Sequence, residues 1–186
     1  MRVQNHYFWN QMFEVRRAIR NDFVNILELY KKVAAMEVGI ARRIEEISPG
    51  YIQHFMENAA ASGIELVVEN PGNAEEIIAE IHCYKMGPAK FDHVLSELTV
   101  AVSPEFQGKG IGKLLFNTLF KIVENEMPHI LRVELVTQES NSSAIALYTK
   151  LGFKIEGRFE GRIMVGTSVE ADIPMAWFNG EYRQQL

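Results

Sequence analysis

The chain has 186 residues, a formal net charge of −5 and a 47% share of hydrophobic residues. This size fits one domain, and the apolar content excludes disorder over most of the chain. The mild acidity argues against a nucleic-acid binder, whose phosphate contacts need a basic face, but it leaves room for a small basic pocket.

Cysteine usage and hydropathy exclude further classes of protein. Cys83 is the only cysteine, which excludes an intramolecular disulfide and a cysteine-rich zinc site. Apolar runs are far shorter than the ~20 residues of a membrane-spanning helix, and the N-terminal segment lacks the layout of a signal peptide. We therefore expect a cytoplasmic protein with no membrane partner.

We predict an N-terminal extension over residues 1–12 and a single domain over residues 13–186. The extension carries an aromatic cluster, Tyr7, Phe8 and Trp9. We interpret this cluster as packing on the domain or on a second subunit, in preference to a lid over a substrate.

The first half is predicted to contain one strand, then two helices, then three further strands. A strand over 13–20 precedes a helix, capped by Asn21 or Asp22, with apolar residues at helical spacing from position 23. A second helix begins at Ser48-Pro49 and ends before Gly63. Three β-rich segments separated by turn residues then suggest an antiparallel meander: 64–68, 76–84 and 94–102.

The second half alternates helices and strands. Apolar side chains from Ile111 to Val123 fall on one stripe of an amphipathic helix. The later predicted elements are a strand over 130–137, a helix over 141–151, and strands over 153–157 and 171–178. This order indicates an α/β or α+β sheet covered by helices.

A glycine-rich turn opens the helix at Ile111. Residues 107–113, here called the glycine turn, are QGKGIGK. The first N–H groups of a helix lack intrahelical partners and carry partial positive charge, so they suit phosphate. Glycines admit a ligand close to the backbone, and two lysines add charge. The spacing fits neither a Walker A loop nor a dinucleotide fingerprint, and a tight turn with incidental glycines is the structural alternative.

A second segment, residues 141–153, is NSSAIALYTKLGF. Asn141 and Tyr148 are about two helical turns apart and lie near one stripe. Taken singly, Asn141 is an N-cap and Tyr148 a core residue. Taken together, the two segments resemble the GNAT superfamily of acyl-CoA-dependent N-acyltransferases, which carries Gln-x-x-Gly-x-Gly after a strand and Asn-x-x-Ala-x-x-x-Tyr-x-x-x-Gly-Phe further along the chain.

The resemblance implies the fold and the co-substrate. It implies an α/β (α+β) fold with a mixed, mostly antiparallel sheet that is splayed between its central strands and has helices on both faces. Acetyl-CoA would lie in the split, with no metal ion. The residues expected to contact it are Val100, Ala101, Val102, Gln107, Gly108, Lys109, Gly110, Ile111, Gly112, Lys113, Asn141 and Ala144.

The resemblance also implies the reaction, in which acetyl-CoA and a primary amine react directly in a ternary complex. Tyr148 would protonate the leaving thiolate, and a backbone N–H near Val100 would polarise the thioester carbonyl. Glu97 is the first choice for the base, with Glu80 and His82 as alternatives. Strand alternation leaves open which face of 94–102 meets the substrate, because a bulge would invert it.

The sequence does not identify the acceptor amine, and it leaves alternative functions open. The resemblance places the acceptor site in residues 38–55 and in a loop over 160–170, and it makes a homodimer an expectation. The expected partner is a small-molecule or peptide amine. The alternatives are a peptide or protein N-terminal or longer-chain acyltransferase, a non-catalytic acyl-CoA-binding regulatory domain, and a generic nucleotide-binding module.

Overall fold

The computed structural model describes residues 13–36 and 39–183, so the aromatic cluster Tyr7, Phe8 and Trp9 lies outside the described residues. The chain divides into two compact units, Met1–Tyr84 with Thr99–Phe120 and Lys85–Leu98 with Lys121–Leu186. Across the described ranges, the secondary structure comprises four α-helices and eight β-strands. The single domain over 13–186 stays a prediction.

Three antiparallel strands form the sheet of the first unit: β1 (Val15–Arg17), β2 (Gly63–Asn70) and β3 (Asn73–Tyr84). The β2–β3 connection is tight because the Asn70 side chain accepts a hydrogen bond from the Gly72 N–H at 2.9 Å. Such an Asx turn explains why the predicted turn residues join two strands here.

Two helices of the first unit follow the predicted positions, α1 (Phe23–Ala34) and α2 (Pro49–Ser62). The Ser48 hydroxyl caps α2 by accepting from the Tyr51 N–H at 3.2 Å, as the sequence predicts. The predicted cap of α1 is wrong. The Asp22 carboxylate instead accepts from the Ile19 N–H at 2.8 Å and from the Arg16 guanidinium at 2.7 Å.

The core of the first unit lies between α1, α2 and one face of the sheet. Val67 of β2 belongs to it, and its Cα partner in β3 is Glu80. Paired residues in antiparallel strands point to the same face, so Glu80 also faces the helices. The buried members of this core are Ile26, Leu29, Tyr30, Val33, Ile47, Ile52, Phe55, Val67, Ile77 and Ala101.

Two elements run from one unit into the other, β4 (Val94–Val102) and α3 (Ile111–Glu126). In the first unit the Ser103 N–H donates to the Ile78 carbonyl at 2.8 Å, so the end of β4 lies beside β3. The bounds of β4 match the predicted strand.

The second unit is built around β5 (Arg132–Gln138) and β8 (Ser168–Phe178), which pair antiparallel over the whole of β5. The parallel register of β4 with β5 covers only Val94 and Leu95, so the expected splay of the sheet is confirmed. The described pairings are mostly antiparallel. Three shorter elements complete the unit: α4 (Ser142–Lys150), β6 (Lys154–Ile155) and β7 (Phe159–Val165).

The predicted loop over residues 160–170 is wrong. These residues form most of a β-hairpin, in which β7 pairs with β8 and Gly166 occupies the turn with a φ of 60°. The sequence signal for β7 is weak because most of its side chains are exposed and lack an apolar face.

Among the residues that the structure describes, none of the helices is both long enough and apolar enough to span a bilayer.

Candidate functional site

The glycine turn is built from backbone that only glycine adopts readily. Gly108 and Gly110 have φ values of 73° and 85°, in the left-handed region. Within the described structure, a Cβ added to either glycine would meet nothing within 4 Å, so the turn is open to a ligand. The first hydrogen bond of α3 runs from the Leu114 N–H to the Gly110 carbonyl at 3.0 Å. The preceding N–H groups of residues 111–113 therefore point out of the helix end.

Side chains stabilise the glycine turn and place positive charge beside it. The Gln107 side-chain amide donates to the Val102 carbonyl at 3.1 Å and closes the turn onto the end of β4. The Lys109 ammonium lies 4.4 Å from the centre of the Phe106 ring. Lys113 is exposed on the first turn of α3. N–H groups and two cations at one helix start suit a diphosphate.

At the start of α4, Asn141 takes the capping role that the sequence allows. Its Oδ1 accepts from the Ala144 N–H and from the Ser143 hydroxyl, both at 3.1 Å. Tyr148 is 8% exposed, and its ring packs 5.8 Å from that of Phe153. Burial raises the pKa of the Tyr148 phenol to about 12, so the phenol keeps its proton at neutral pH.

Glu97 interrupts the alternation of β4. Its φ is 55°, in the left-handed region that a non-glycine residue rarely adopts, and its side chain is exposed. The residues before it, Val94, Leu95 and Ser96, are all buried, so both faces of this part of β4 are covered. Strain of this kind concentrates at functional sites.

Glu80 and His82, the alternative bases, lie together in the core of the first unit. The Tyr30 hydroxyl donates to Glu80 Oε2 at 2.6 Å, and His82 Nδ1 lies 3.0 Å from Glu80 Oε1. The His82 ring stacks on Phe55 with centroids 3.9 Å apart and planes 10° apart. Tyr30, Glu80 and His82 are called the buried polar network below.

Residues 28–153 match the sequence model of the acetyltransferase (GNAT) family. The chain belongs to the GNAT family. Its fold agrees with the crystal structure of a GNAT superfamily phosphinothricin acetyltransferase from Sinorhizobium meliloti in complex with AcCoA. The TM-score is 0.79 at 20% identity, over 92% of this chain and 90% of that one.

Curated GNAT relatives are similar over part of the chain. Spermidine N(1)-acetyltransferase of Escherichia coli (strain K12) is 29% identical over 94 residues, which are 48% of this chain and 48% of that enzyme. The [ribosomal protein bS18]-alanine N-acetyltransferase of Salmonella typhimurium is 43% identical over 63 residues, 32% of this chain and 41% of that enzyme. The chain therefore spans less than half the length of these two relatives.

Tyr30 and Glu65 are two titratable groups of this GNAT chain that its sequence patterns do not single out. Tyr30 was visible only as an apolar position of α1, and Glu65 only as a strand residue. In the described structure, Glu65 Oε1 is buried and has no hydrogen-bond partner. Burial, and to a smaller extent the nearby Glu80, raise the pKa of the Glu65 carboxyl to about 8. A glutamate at a buried-face position of a strand is the signal that could have identified it.

Proposed function

We propose that this protein transfers an acetyl group from acetyl-CoA to a primary amine by direct attack in a ternary complex. The observation that carries the proposal is the glycine turn, whose open left-handed glycines lead into the first turn of α3. Membership of the GNAT family and the agreement in fold with a neighbour solved with AcCoA support the same co-substrate.

The diphosphate and the pantetheine arm of acetyl-CoA each have a proposed contact on this chain. The diphosphate accepts hydrogen bonds from N–H groups of the glycine turn, and Lys109 and Lys113 offset its charge. The pantetheine amides bond to the backbone of residues 100–102 in the manner of an added strand. Asn141 and Ala144 contact the pantetheine arm.

The acceptor amine must lose a proton before it attacks, because an exposed alkylamine has a pKa of about 10.4. Glu97 is the proposed base, and its exposed carboxylate can take a proton directly or through water. A backbone N–H near Val100 then stabilises the negative charge that develops on the thioester carbonyl oxygen.

Tyr148 is the proposed acid for the departing CoA sulfur. A phenol with a pKa of about 12 is always protonated at neutral pH and can donate to the sulfur as charge develops. Complete transfer is uphill, because a thiol ordinarily has a pKa of about 8.5. The phenol therefore acts mainly by hydrogen bonding to the sulfur in the transition state, and any phenolate formed regains its proton from solvent.

The acceptor class is proposed to be a small amine or a peptide N-terminus. The names of the two relatives, one a spermidine and the other a ribosomal-protein alanine acetyltransferase, support this range.

A cytoplasmic location and a homodimer complete the proposal. The buried thiol of Cys83 supports a reducing compartment, where single unbridged cysteines are common. Sedimentation of the full chain tests the dimer.

Calorimetric titration with acetyl-CoA, ATP and NAD tests the assignment directly. Acetyl-CoA should bind, and ATP and NAD should give no saturable heat. A thiol-release assay over amines, polyamines, amino acids and N-terminal peptides then identifies the acceptor. Tight ATP binding without acetyl-CoA binding would show a nucleotide-binding module, whereas acetyl-CoA binding without any thiol release would show a regulatory binding domain.

A further inference from the structure

The buried polar network has no role in the reaction as described so far. Tyr30 and Glu80 are 0% exposed, and polar groups placed this deeply are costly unless they are hydrogen-bonded to one another. The His82 side chain keeps 3% of its surface exposed, compared with 0% for that of Glu80. Of these three side chains, only the imidazole keeps any exposed surface.

The network orients one nitrogen of His82. Both carboxyl oxygens of Glu80 are occupied, Oε2 by the Tyr30 hydroxyl at 2.6 Å and Oε1 by His82 Nδ1 at 3.0 Å. A proton on Nδ1 held by a carboxylate leaves Nε2 as the proton-accepting nitrogen. Stacking on Phe55, with planes 10° apart, fixes the orientation of the ring.

The backbone places His82 near the proposed acyl site. The Ser103 N–H donates to the Ile78 carbonyl, which sets the antiparallel register of β4 against β3. In that register Thr99, four residues before Ser103, lies beside His82, four residues after Ile78. Adjacent strands lie about 4.8 Å apart. Ala101 belongs to the same core as Tyr30, so by alternation Thr99 also faces the network.

We propose that His82 accepts a proton from the substrate ammonium and that Glu80 and Tyr30 are its positioning residues. This inference rests on the proposed function and adds to Glu97 a second, inner proton acceptor. An N–H bond of the ammonium breaks, and its proton passes to Nε2 directly or through one water. The electron pair left on nitrogen attacks the thioester carbon, and the C–S bond breaks as the tetrahedral adduct collapses. The second proton lost by nitrogen balances the one that the departing sulfur takes up. The imidazolium returns the proton to solvent after the amide leaves, so the cycle releases one proton.

The surroundings of His82 favour this role. An imidazole ordinarily titrates nearer neutral pH than a carboxylate does, which makes it the more effective general base. The carboxyl group of Glu80 stabilises the imidazolium that forms. The titratable groups packed around the ring are Glu65 of β2, Glu80 and Tyr84 of β3, Tyr30 of α1 and, through contact with Tyr30, Tyr51 of α2.

The test compares His82→Gln with His129→Gln, which makes the same change at a histidine between α3 and β5, outside the proposed site. We expect kcat/KM at neutral pH to fall about a hundredfold in the first variant only, with acetyl-CoA affinity unchanged by calorimetry. The low-pH decline of kcat/KM in the wild type should also change shape in His82→Gln. A profile of unchanged shape would assign His82 a structural role and overturn the inference.

Two further measurements keep the inference falsifiable if His82→Gln folds poorly. Glu80→Gln preserves the shape of the network and should lower kcat by about tenfold, with little change in KM. Added imidazole should restore part of the activity of His82→Ala, and a failure of rescue in a folded variant counts against proton acceptance. Transfer that proceeds normally in all three variants refutes this inference alone, whereas a wild type that acetylates no amine refutes the proposed function.

Discussion

The glycine turn and the buried polar network solve different problems with different parts of the chain. The glycine turn offers backbone N–H groups at an open helix start, and its residues are consecutive. The network joins side chains from α1 and β3 that are 50 residues apart in sequence and removed from solvent. Backbone binding therefore leaves a local sequence pattern, whereas a buried side-chain network leaves none.

Tyr148 sharpens this comparison because it belongs to a sequence motif and yet is buried like the network. We expect Tyr148→Phe to lower kcat about a hundredfold or more, since the phenol supplies acid assistance to the leaving sulfur. Steady-state kinetics at saturating substrates measures the loss. Acetyl-CoA affinity should change little by calorimetry, and undiminished turnover would remove Tyr148 from the acid role.

The glycine turn is broken most directly by Gly110→Glu. The change places a side chain at a φ of 85° and a negative charge where the diphosphate is proposed to bind. A left-handed conformation costs a non-glycine residue about 1–2 kcal/mol, and charge repulsion adds to it. We expect the Kd for acetyl-CoA to rise about a hundredfold, as measured by calorimetry.

Gly166→Glu is the matched control, because Gly166 has a φ of 60° and, in the described structure, a Cβ there meets nothing within 4 Å. This variant has the same free-energy cost of a non-glycine residue in the left-handed region, but in the β7–β8 turn. Equal acetyl-CoA affinity in the two variants would contradict a diphosphate site at the glycine turn.

The network is tested by a double-mutant cycle of Tyr30→Phe and Glu80→Gln. Tyr30→Phe removes the donor to a buried carboxyl oxygen and should lower the free energy of unfolding by about 1.5–3 kcal/mol. In the Glu80→Gln background, Tyr30→Phe should lower the free energy of unfolding by less, because a neutral amide oxygen depends less on the lost donor than a carboxylate oxygen does. Urea denaturation of the wild type, the two single variants and the double variant measures the coupling. Strictly additive losses would show that the 2.6 Å contact contributes no stability.

Glu65 gives the smallest and most specific effect, which depends on pH. Its folded pKa of about 8 lies above the ordinary value, so the folded state holds a proton that the unfolded chain releases at lower pH. The stabilisation is complete below the unfolded pKa and is lost as the pH rises through about 8. Relative to Glu65→Gln, the wild type should lose on the order of 1–3 kcal/mol between about pH 5 and pH 9.

Urea denaturation across this pH range measures the difference. Glu75→Gln, at an exposed position of β3, is the control and should parallel the wild type. A parallel Glu65→Gln curve would show that the Glu65 carboxyl titrates alike in the folded and unfolded chains.

Most of the helices and strands could be predicted from local sequence patterns. Helical spacing located α3, the Ser48-Pro49 pair located α2, and β4 matched its predicted bounds. The hairpin of β7 and β8 was missed because exposed strands lack an apolar face, and the α1 cap was wrong because Arg16 draws the Asp22 carboxylate away.

The two motifs of the site were visible in the sequence, but the surroundings of their residues were not. The capping bonds of Asn141 and the closing bond from Gln107 to Val102 follow local rules. The meeting of Tyr30 with Glu80 depends on how α1 packs on β3 and on the β2–β3 register, which no local pattern encodes.

A crystal structure with bound acetyl-CoA tests the central claim most directly. We predict that diphosphate oxygens lie within hydrogen-bond distance of the N–H groups of the glycine turn, with the thioester carbonyl at the Val100 N–H. A diphosphate bound elsewhere, with the glycine turn unchanged and in contact only with water, would contradict it.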